Sequence, residues 1–270
     1  MKRIYILYGP SGAGKTTLGD YLKELGIPEL VSVTTREKRN GEIEGINYNF
    51  VSIEEFNQLD KIEFNEYPKD SGKFYSLTKD ELERKLAQND KVFAVAELEG
   101  IKQVKAQYPG ETKTIYISIP GGFMTDRMKN RGDSDVSIQM RLAQAERTNE
   151  LSHYIWADYV VENKDLSLAK QRLKEIVTRD NDDCGITRRF LIERLPSLQE
   201  IPKREILDFS SLPNSQYYIL MGNNIITLCV YQGNANKLDT AEVEFLSKKE
   251  SLSFVPPTWF GEEIIDDKHL

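Results

Sequence analysis

Residues Arg3–Tyr8, RIYILY, lead directly into Gly9-Pro10-Ser11-Gly12-Ala13-Gly14-Lys15-Thr16, and this stretch decides the fold. The first six residues form a nearly continuous apolar and aromatic run, which is typical of a parallel strand buried on both faces. The glycine-rich part matches G-x-x-x-x-G-K-[ST] at every fixed position, and leucines at helical spacing follow Lys15. A strand, a glycine loop and a helix in this order predict a P-loop that binds nucleotide phosphates.

The residue types of this loop suit that chemistry. Glycines let successive backbone N–H groups converge on phosphate oxygens, which a Cβ would obstruct, and the helix N-terminus adds a favourable dipole. We expect Lys15 to reach the β- and γ-phosphates and the Thr16 hydroxyl to take a position on Mg²⁺. The nucleotide-binding residues predicted from the loop are Gly9, Ser11, Gly12, Ala13, Gly14, Lys15, Thr16 and Thr17.

Composition excludes several classes of protein. The 270 residues are 39% hydrophobic and 29% charged, which is enough apolar material for a packed core. A net charge of −7 gives no support to a general nucleic-acid or membrane-surface binder. Two cysteines and two histidines are too few for a disulfide framework or a histidine-based metal site. Because the apolar stretch Ile4–Tyr8 is too short for a signal peptide, we expect a cytoplasmic protein.

The segment after the first helix carries a dense motif. Ser32-Val33-Thr34-Thr35-Arg36-Glu37-Lys38-Arg39 is followed by Gly41-Glu42-Ile43-Glu44-Gly45-Ile46-Asn47-Tyr48-Asn49-Phe50. Here the chain resembles the guanylate kinases, in which S-x-T-T-R-x-x-R-x-G-E-x-x-G-x-x-Y-x-F follows the first helix. The resemblance implies transfer of the γ-phosphoryl group from ATP, with Mg²⁺, to GMP or dGMP. It also implies that Arg36, Arg39 and Tyr48 hold the GMP phosphate, since arginine makes forked, charge-assisted bonds to phosphate. By the same resemblance, Ser32 touches the guanine.

The resemblance next implies a glutamate that reads the acceptor base. Aligned without a gap, Glu66 is that glutamate, and it would accept from N1–H and N2–H₂ of guanine. Gly72-Lys73-Phe74-Tyr75 then covers the family's G-N-Y-Y, with Tyr75 assisting at the phosphate. Glu63 competes with Glu66 if the register slips, so the two carboxylates remain alternatives.

Two departures from the family pattern concern the metal and the acceptor. Where the family has D-x-D at the end of a strand, the chain has Val95 and Glu97. Glu97 can replace a carboxylate that binds the base, whereas Val95 cannot act as the acid near Mg²⁺. In addition, Ser76 replaces a glycine of the family and Leu77 replaces a hydroxyl residue.

A set of arginines resembles the guanylate kinase lid. Arg127-Met128-Lys129-Asn130-Arg131-Gly132 resembles the R-L-x-x-R-G at the start of the lid, and Arg141 matches the arginine at its far end. The resemblance implies that Arg131 and Arg141, with Lys15, are the catalytic residues that close on the transferring phosphoryl group. Phosphoryl transfer requires positioned positive charge of this kind. Arg127 and Asn163 would lie nearer the donor nucleotide, with Asn163 beside the adenine of ATP.

The chain beyond residue 178 has a different pattern. Short strands are predicted at Arg188–Ile192, Tyr217–Met221, Ile225–Tyr231 and Thr240–Phe245, and hairpin turns at Gly222-Asn223-Asn224 and Gly233–Asn236. The segments Ile186–Pro196, Ala241–Phe245 and Val255–Asp267 resemble the opening and closing segments of a CYTH (triphosphate tunnel) domain. The opening metal-binding glutamates of that family fall at Gly185 and Thr187, and Glu242 and Glu244 alone remain on one strand. We therefore expect a reduced, non-hydrolytic unit with a docking or regulatory role.

Together these observations predict an α/β fold. It consists of a P-loop parallel sheet with an acceptor-binding insert and a lid, plus a small mainly-β C-terminal domain. We expect a kinase-like domain at residues 1–178, a linker at 179–186 and the reduced CYTH-like domain at 187–270. The open edges of that last domain need a cover, for which the kinase domain, a second copy of the chain and another protein are alternatives.

Two other functions compete with GMP phosphorylation. One is a P-loop kinase for another phosphorylated acceptor, such as a ribose bisphosphate, but base-reading residues would then be superfluous. The other is a non-catalytic GMP-binding module. The intact P-loop lysine and glycines argue against it.

Overall fold

The computed structural model describes residues 2–66, 71–179, 186–192, 205–207, 214–231 and 239–264. The first part of the chain consists of β1 (Arg3–Tyr8), α1 (Lys15–Glu24), β2 (Val33–Thr34), β3 (Asn49–Phe50), α2 (Ile53–Gln58), β4 (Asn65–Glu66), β5 (Phe74–Ser76), α3 (Lys79–Gln88), β6 (Lys91–Val95), α4 (Leu98–Gln107), β7 (Thr112–Ser118), α5 (Gly121–Asn130), α6 (Asp135–Arg147), a 3₁₀ helix (Glu150–Trp156), β8 (Tyr159–Glu162) and α7 (Leu166–Thr178). The second part consists of β9 (Ile186–Ile192), β10 (Glu205–Leu207), β11 (Asn214–Met221), β12 (Asn224–Tyr231), β13 (Thr240–Phe245), α8 (Lys248–Ser253) and β14 (Phe260–Glu263). None of the helices in the described ranges combines the length and the hydropathy needed to cross a membrane.

The central sheet of the first part is parallel, with the strand order β6-β1-β7-β8. All six residues of β1 are buried, as expected for a strand with helices on both sides. Leu22 of α1 and Leu173 of α7 belong to the apolar cluster on one side. Leu82 of α3 and Ile101 of α4 belong to the cluster on the other. Because all four strands run the same way, their carboxyl ends share one edge, where ligands bind in such sheets.

A second, small sheet has the order β3-β2-β5-β4 and forms the insert predicted after α1. A capping box begins α2, with Ser52 and Glu55 each accepting a backbone N–H of the other. Among the described residues of this segment, regular pairing with β5 involves the two residues of β4. Next to β4, side chains replace ladder bonds: the Glu63 carboxylate accepts from the Leu77 N–H and the Ser76 hydroxyl donates to the Glu63 carbonyl.

The second part of the chain is an antiparallel sheet with the order β10-β11-β12-β13-β9-β14. Its apolar face includes Phe190, Ile226 and Val243 and packs with Trp259 and Phe260. The four predicted strands are present, three of them longer at the start than predicted, and the hairpin turn at Gly222 is confirmed. The predicted turn at 233–236, Cys184 and most of the predicted linker lie outside the described residues. The predicted fold class, α/β with a small mainly-β C-terminal part, is confirmed.

The two parts are in direct contact through the other face of the antiparallel sheet. Tyr218, Leu220 and Ile225 pack against the second apolar cluster of the kinase-like part. The hydroxyl of Tyr154, in the 3₁₀ helix, donates to the Tyr218 carbonyl at 3.0 Å. An ion pair of 2.9 Å joins Arg172 of α7 to Glu250 of α8. The kinase-like part thus covers one face of this sheet, while the cover expected for the open edges stays a prediction.

Candidate active site

The P-loop lies between β1 and α1 at the carboxyl edge of the parallel sheet, and two of its glycines are required by contact. Gly9 has a φ of 141° and Gly14 a φ of 92°, which side chains rarely adopt. A Cβ at Gly9 would collide with the Ile117 carbonyl, and one at Gly14 would collide with the Asn163 amide nitrogen. Gly14 also begins α1 without a side-chain cap, so the first N–H groups of the helix are available to an anion.

A cavity of about 570 Å³ adjoins this loop. Its lining contains most of the predicted donor residues, namely Ser11, Gly12, Gly14, Lys15, Thr16, Thr17, Arg127, Arg131 and Asn163, together with Leu166. Gly9 and Ala13 belong to the loop backbone, and Ala13 is buried. The structure therefore brings donor residues predicted from three separate stretches of the chain to one cavity.

Lys15 is held over the loop by backbone carbonyls. Its Nζ donates to the carbonyl oxygens of Gly9 at 2.6 Å and Pro10 at 3.2 Å. Burial lowers the pKa of Lys15, and the negative charges of Glu97 and Glu150 act in the opposite direction. The pKa of Glu97 is raised by desolvation, against the attraction of Lys15. Lys15 and Glu97 thus attract each other electrostatically, while burial disfavours the charged form of both.

Asn163 lies beneath the P-loop. Its side chain is 1% exposed, and its amide nitrogen donates to the Ala13 carbonyl at 2.7 Å. The backbone carbonyl of Asn163 accepts from the Arg127 guanidinium at 2.6 Å. In this structure Asn163 supports the loop and orients Arg127, a role that the sequence motif did not indicate.

The residues predicted to hold the acceptor phosphate are gathered around Arg36. This guanidinium is 6% exposed and lies over the Tyr48 ring, 5.2 Å from its centroid. Its Nε donates to the Tyr75 hydroxyl at 3.2 Å, and its two terminal nitrogens donate to the Glu42 carboxylate at 2.9 and 2.8 Å. Glu42 also accepts from the backbone N–H of Arg39, whose side chain is exposed.

Glu42 belongs to the acceptor motif, but the sequence did not predict a role for it. Hydrogen bonds from Arg36 and from the Arg39 backbone lower the pKa of Glu42 to about 2, so its carboxylate is ionised at neutral pH. It occupies the fork of Arg36 that a phosphate would use. Its position in the motif, three residues after Arg39, is the sequence feature that could have indicated this contact.

The two candidate base-reading glutamates lie in different surroundings. In the register of β4 and β5, Asn65 is opposite Tyr75 and Glu66 is opposite Phe74. Opposed residues of an antiparallel pair point to the same face, so Glu66 shares the face of Phe74, away from Tyr75 and Arg36. That face carries an aromatic cluster with Phe56 and Phe64, and Glu66 accepts from the Gly72 N–H at 2.7 Å. The structure does not bring Glu66 to the phosphate-binding face.

Glu63 is buried, with 6% of its surface exposed, and faces the start of α4. Its Oε1 accepts from the Leu77 N–H at 2.9 Å, and a Cβ at Gly100 would come within 2.7 Å of its Oε2. Glu97, which immediately precedes α4, is three residues before Gly100. Burial raises the pKa of Glu63 to about 7. Glu63 therefore packs against the first turn of α4, the helix that Glu97 precedes.

The two lid arginines make different contacts. Arg141 of α6 donates to the Ser11 hydroxyl of the P-loop at 2.6 Å. Arg131 follows α5, lines the donor cavity and forms an ion pair with Asp133. Hydrogen bonding from Arg131 lowers the pKa of Asp133. The lid thus already touches the donor loop through one arginine, while the other is paired within the lid.

Comparison with known proteins agrees with this arrangement. The family model described as guanylate kinase matches residues 1–180, two thirds of the chain. The chain belongs to the guanylate kinase family. A guanylate kinase of Colwellia psychrerythraea is 35% identical over 215 residues, covering 75% of this chain and 97% of that protein. One of Synechococcus sp. is 40% identical over 181 residues, covering 65% and 82%. One of Bartonella quintana is 36% identical over 177 residues, covering 64% and 79%.

As a guanylate kinase, this chain departs from the family pattern in ways the structure explains. Ser76, in place of glycine, is fully buried, and its hydroxyl ties β5 to the Glu63 segment. Leu77 is 2% exposed and joins the apolar cluster under the central sheet. Val95 packs on the other cluster at the end of β6 and brings no oxygen to the donor site. The family match ends at residue 180, so the CYTH resemblance of the remaining chain stays a prediction.

Proposed function

We propose that this chain transfers the γ-phosphoryl group of ATP to GMP or dGMP. The observation that carries the proposal is the lid arginine Arg141 on the P-loop hydroxyl of Ser11, in a chain whose insert also holds a buried Arg36–Tyr75 cluster. The donor phosphate site at the P-loop thus contacts the lid through Arg141. The acceptor phosphate site lies on the separate small sheet of the insert. Donor and acceptor sites of this kind suit direct transfer between two bound phosphates.

The donor half would act through positioned positive charge. The N-terminus of α1 binds the phosphates of ATP, and Lys15 leaves its carbonyl partners for the β- and γ-phosphates. Arg131 and Arg141 supply charge to the transferring group when the lid closes. Arg127, held by the Asn163 carbonyl, is directed at the donor nucleotide.

The residues present fit a magnesium ion. Mg²⁺ commonly takes one or two protein oxygens and completes its shell with phosphates and water. The exposed Thr16 hydroxyl at the start of α1 would provide one such oxygen. When bound, the ion would neutralise charge developing on the β- and γ-phosphate oxygens.

In the acceptor half, Arg36, Arg39, Tyr48 and Tyr75 would hold the monophosphate. The phosphate must share or replace the Glu42 carboxylate in the fork of Arg36. Ser32 and Glu97 would contact the base, as the family motif implies. For the guanine-reading carboxylate we favour Glu63 over Glu66, because Glu63 faces Gly100 in the first turn of α4, while Glu66 lies on the face of the small sheet away from Arg36.

For the C-terminal part we propose a docking or regulatory role without triphosphate hydrolysis. A two-metal phosphate site needs clustered carboxylates free to hold cations. Here Glu242 is engaged by the Arg189 guanidinium at 2.7 Å, and Thr187 stands opposite Glu244 in the register of β9 and β13. A cytoplasmic location for the kinase reaction, with ATP and GMP or dGMP as its partners, belongs to the same proposal.

A coupled kinase assay tests the main proposal. The purified full chain is given ATP and Mg²⁺ with GMP, dGMP, AMP or a ribose bisphosphate, one acceptor at a time. We expect turnover with GMP and dGMP and much slower turnover with AMP. Preference for the ribose bisphosphate would favour the rival kinase, and binding of GMP without turnover would favour a non-catalytic module. The Lys15→Ala variant, prepared in parallel, measures any contaminating activity.

A further inference from the structure

The hairpin turn between β11 and β12 touches the kinase-like part at one defined point. The side-chain oxygen Oδ1 of Asn223 accepts a hydrogen bond of 2.7 Å from the backbone N–H of Glu162. Glu162 is the last residue of β8, and β8 is the terminal strand in the order of the parallel sheet. A side chain from the second part therefore pairs an edge N–H of the kinase-like sheet.

The residue after Glu162 is Asn163, on which the donor site depends. The side-chain amide of Asn163 donates to the Ala13 carbonyl in the P-loop, and the backbone carbonyl of Asn163 accepts from Arg127. Its backbone N–H donates to the Ser118 carbonyl at the end of β7. One peptide unit thus separates the Asn223 contact from a residue that holds both the P-loop and Arg127.

The hairpin is fixed independently of Asn223, so the contact is pre-organised. Leu220 and Ile225, on either side of the turn, pack on the kinase-like core, and the Tyr218 carbonyl accepts from Tyr154. Gly222 supplies the positive φ, 59°, that a type II′ turn needs at its first central position. Asn223 takes the second central position, where no positive φ is needed, and its side chain reaches the Glu162 N–H from there.

We propose that Asn223 is a positioning residue for the ATP site, acting through Glu162 and Asn163. The C-terminal sheet then completes the donor half of the kinase in addition to docking on it. The kinetic part of this inference rests on the proposed function, whereas its binding part requires only that the P-loop binds ATP. Loss of the Asn223 acceptor frees the end of β8, loosens Asn163 and weakens the hold on the donor phosphates.

The test uses the full chain and three variants. Asn223→Ala removes the acceptor, and Asn223→Asp keeps an oxygen at the same reach. Asn224→Ala is the matched control, because it lies in the same hairpin and its Oδ1 has no hydrogen-bond partner among the described residues. For each protein we would measure kcat, KM for ATP and for GMP, the Kd of a fluorescent ATP analogue, and Tm.

We expect Asn223→Ala to raise KM for ATP and the Kd of the analogue about fivefold, with KM for GMP changed by less than about twofold. Asn223→Asp should recover most of the loss, and Asn224→Ala should match the wild type. Unchanged ATP affinity in folded Asn223→Ala would overturn the proposal. So would equal rises in both KM values without recovery in Asn223→Asp, which would indicate a general structural effect.

Amide exchange in the wild type gives a second measurement that needs no variant. The Glu162 amide at the end of β8 donates its hydrogen bond to Asn223. Because coupling between two sites is reciprocal, binding of the ATP analogue should slow hydrogen exchange at this amide. An unaffected Glu162 amide at saturating analogue would contradict the inference even if a variant failed to fold. Normal analogue binding without GMP phosphorylation would remove the proposed function and leave this test valid.

Discussion

The donor loop and the acceptor insert hold their phosphate-binding groups in opposite ways. In the donor loop, backbone N–H groups and Lys15 face an open cavity, and Lys15 donates to neutral backbone carbonyls. In the insert, Arg36 is buried and its fork is filled by the ionised Glu42. The donor half is therefore prepared by backbone shape, and the acceptor half by a charged network in which the incoming phosphate competes with a carboxylate.

Removing the donor charge should have the largest effect. We expect Lys15→Ala to lower kcat by at least ~10²-fold, because positive charge at the transferring group is lost where electrostatic stabilisation matters most. The fold should persist, since the side-chain hydrogen bonds of Lys15 to the described residues go to neighbouring loop carbonyls. Steady-state kinetics with a matched Tm measurement provides the check. Lys23→Ala, on the exposed side of the same helix, is the control, and near-normal turnover in a folded Lys15→Ala protein would refute the donor assignment.

The next effect separates the two glutamates of the insert. We expect Glu63→Gln to lower kcat/KM for GMP by about 10- to 100-fold while changing AMP little, because a charged acceptor of two guanine donors is lost. Glu66→Gln, on the aromatic face, should stay within about twofold of the wild type for both acceptors. The reverse result, with Glu66→Gln selectively harming GMP, would restore the gap-free alignment. Equal losses for GMP and AMP in both variants would point to an acceptor that is not a purine.

The pH dependence of acceptor binding sharpens the same distinction. Burial raises the pKa of Glu63 from 4.5 to about 7, and only the ionised form accepts both guanine donors. KM for GMP should therefore fall roughly tenfold as the pH rises from about 6 to 8, following the ionised fraction. The raised pKa also means that the stability Glu63 contributes below about 4.5 is lost as the pH rises through about 7. If KM for GMP depends on pH as steeply in Glu63→Gln as in the wild type, another group titrates. The same measurement with AMP controls for titration of the acceptor phosphate.

The smallest effect concerns the exposed arginine beside the network. Arg39→Ala should weaken GMP and AMP alike, by about fivefold in KM, because an exposed charge contributes modestly and reads no base. Comparison of the two acceptors in one assay measures this directly. Lys38→Ala, the exposed neighbour, is the control. A loss confined to GMP would place Arg39 at the base instead of the phosphate.

The strand, loop and helix of the donor half were predictable because their determinants are local. The apolar run of β1, the glycines and the helical spacing after Lys15 all lie within about twenty residues, and none depends on a distant partner. The arginines of the lid were predicted from a motif. Their contacts, Arg141 to Ser11 and Arg131 to Asp133, depend on how the lid lies over the loop.

The acceptor half was less predictable because a short strand gives little information about its own register. β4 has two residues, and the alignment of Glu66 assumed a family-length connection before Gly72. One slip of register moves a side chain to the opposite face of a sheet, and the choice between Glu63 and Glu66 is of that kind. β10 and β14 were missed for a related reason, since each is short and is defined by pairing with a longer strand.

The apolar contact between the two parts has a consequence for synthesis on the ribosome. The surface that receives Leu220 and Ile225 is complete once α7 has emerged, but its cover is translated roughly 50 residues later. At usual rates of about 5–20 residues per second, the nascent kinase-like part spends several seconds with this surface bare. The β8 edge lacks its Asn223 contact during that time, and slowing translation after residue 180 should lengthen the interval and increase aggregation of the newborn chain.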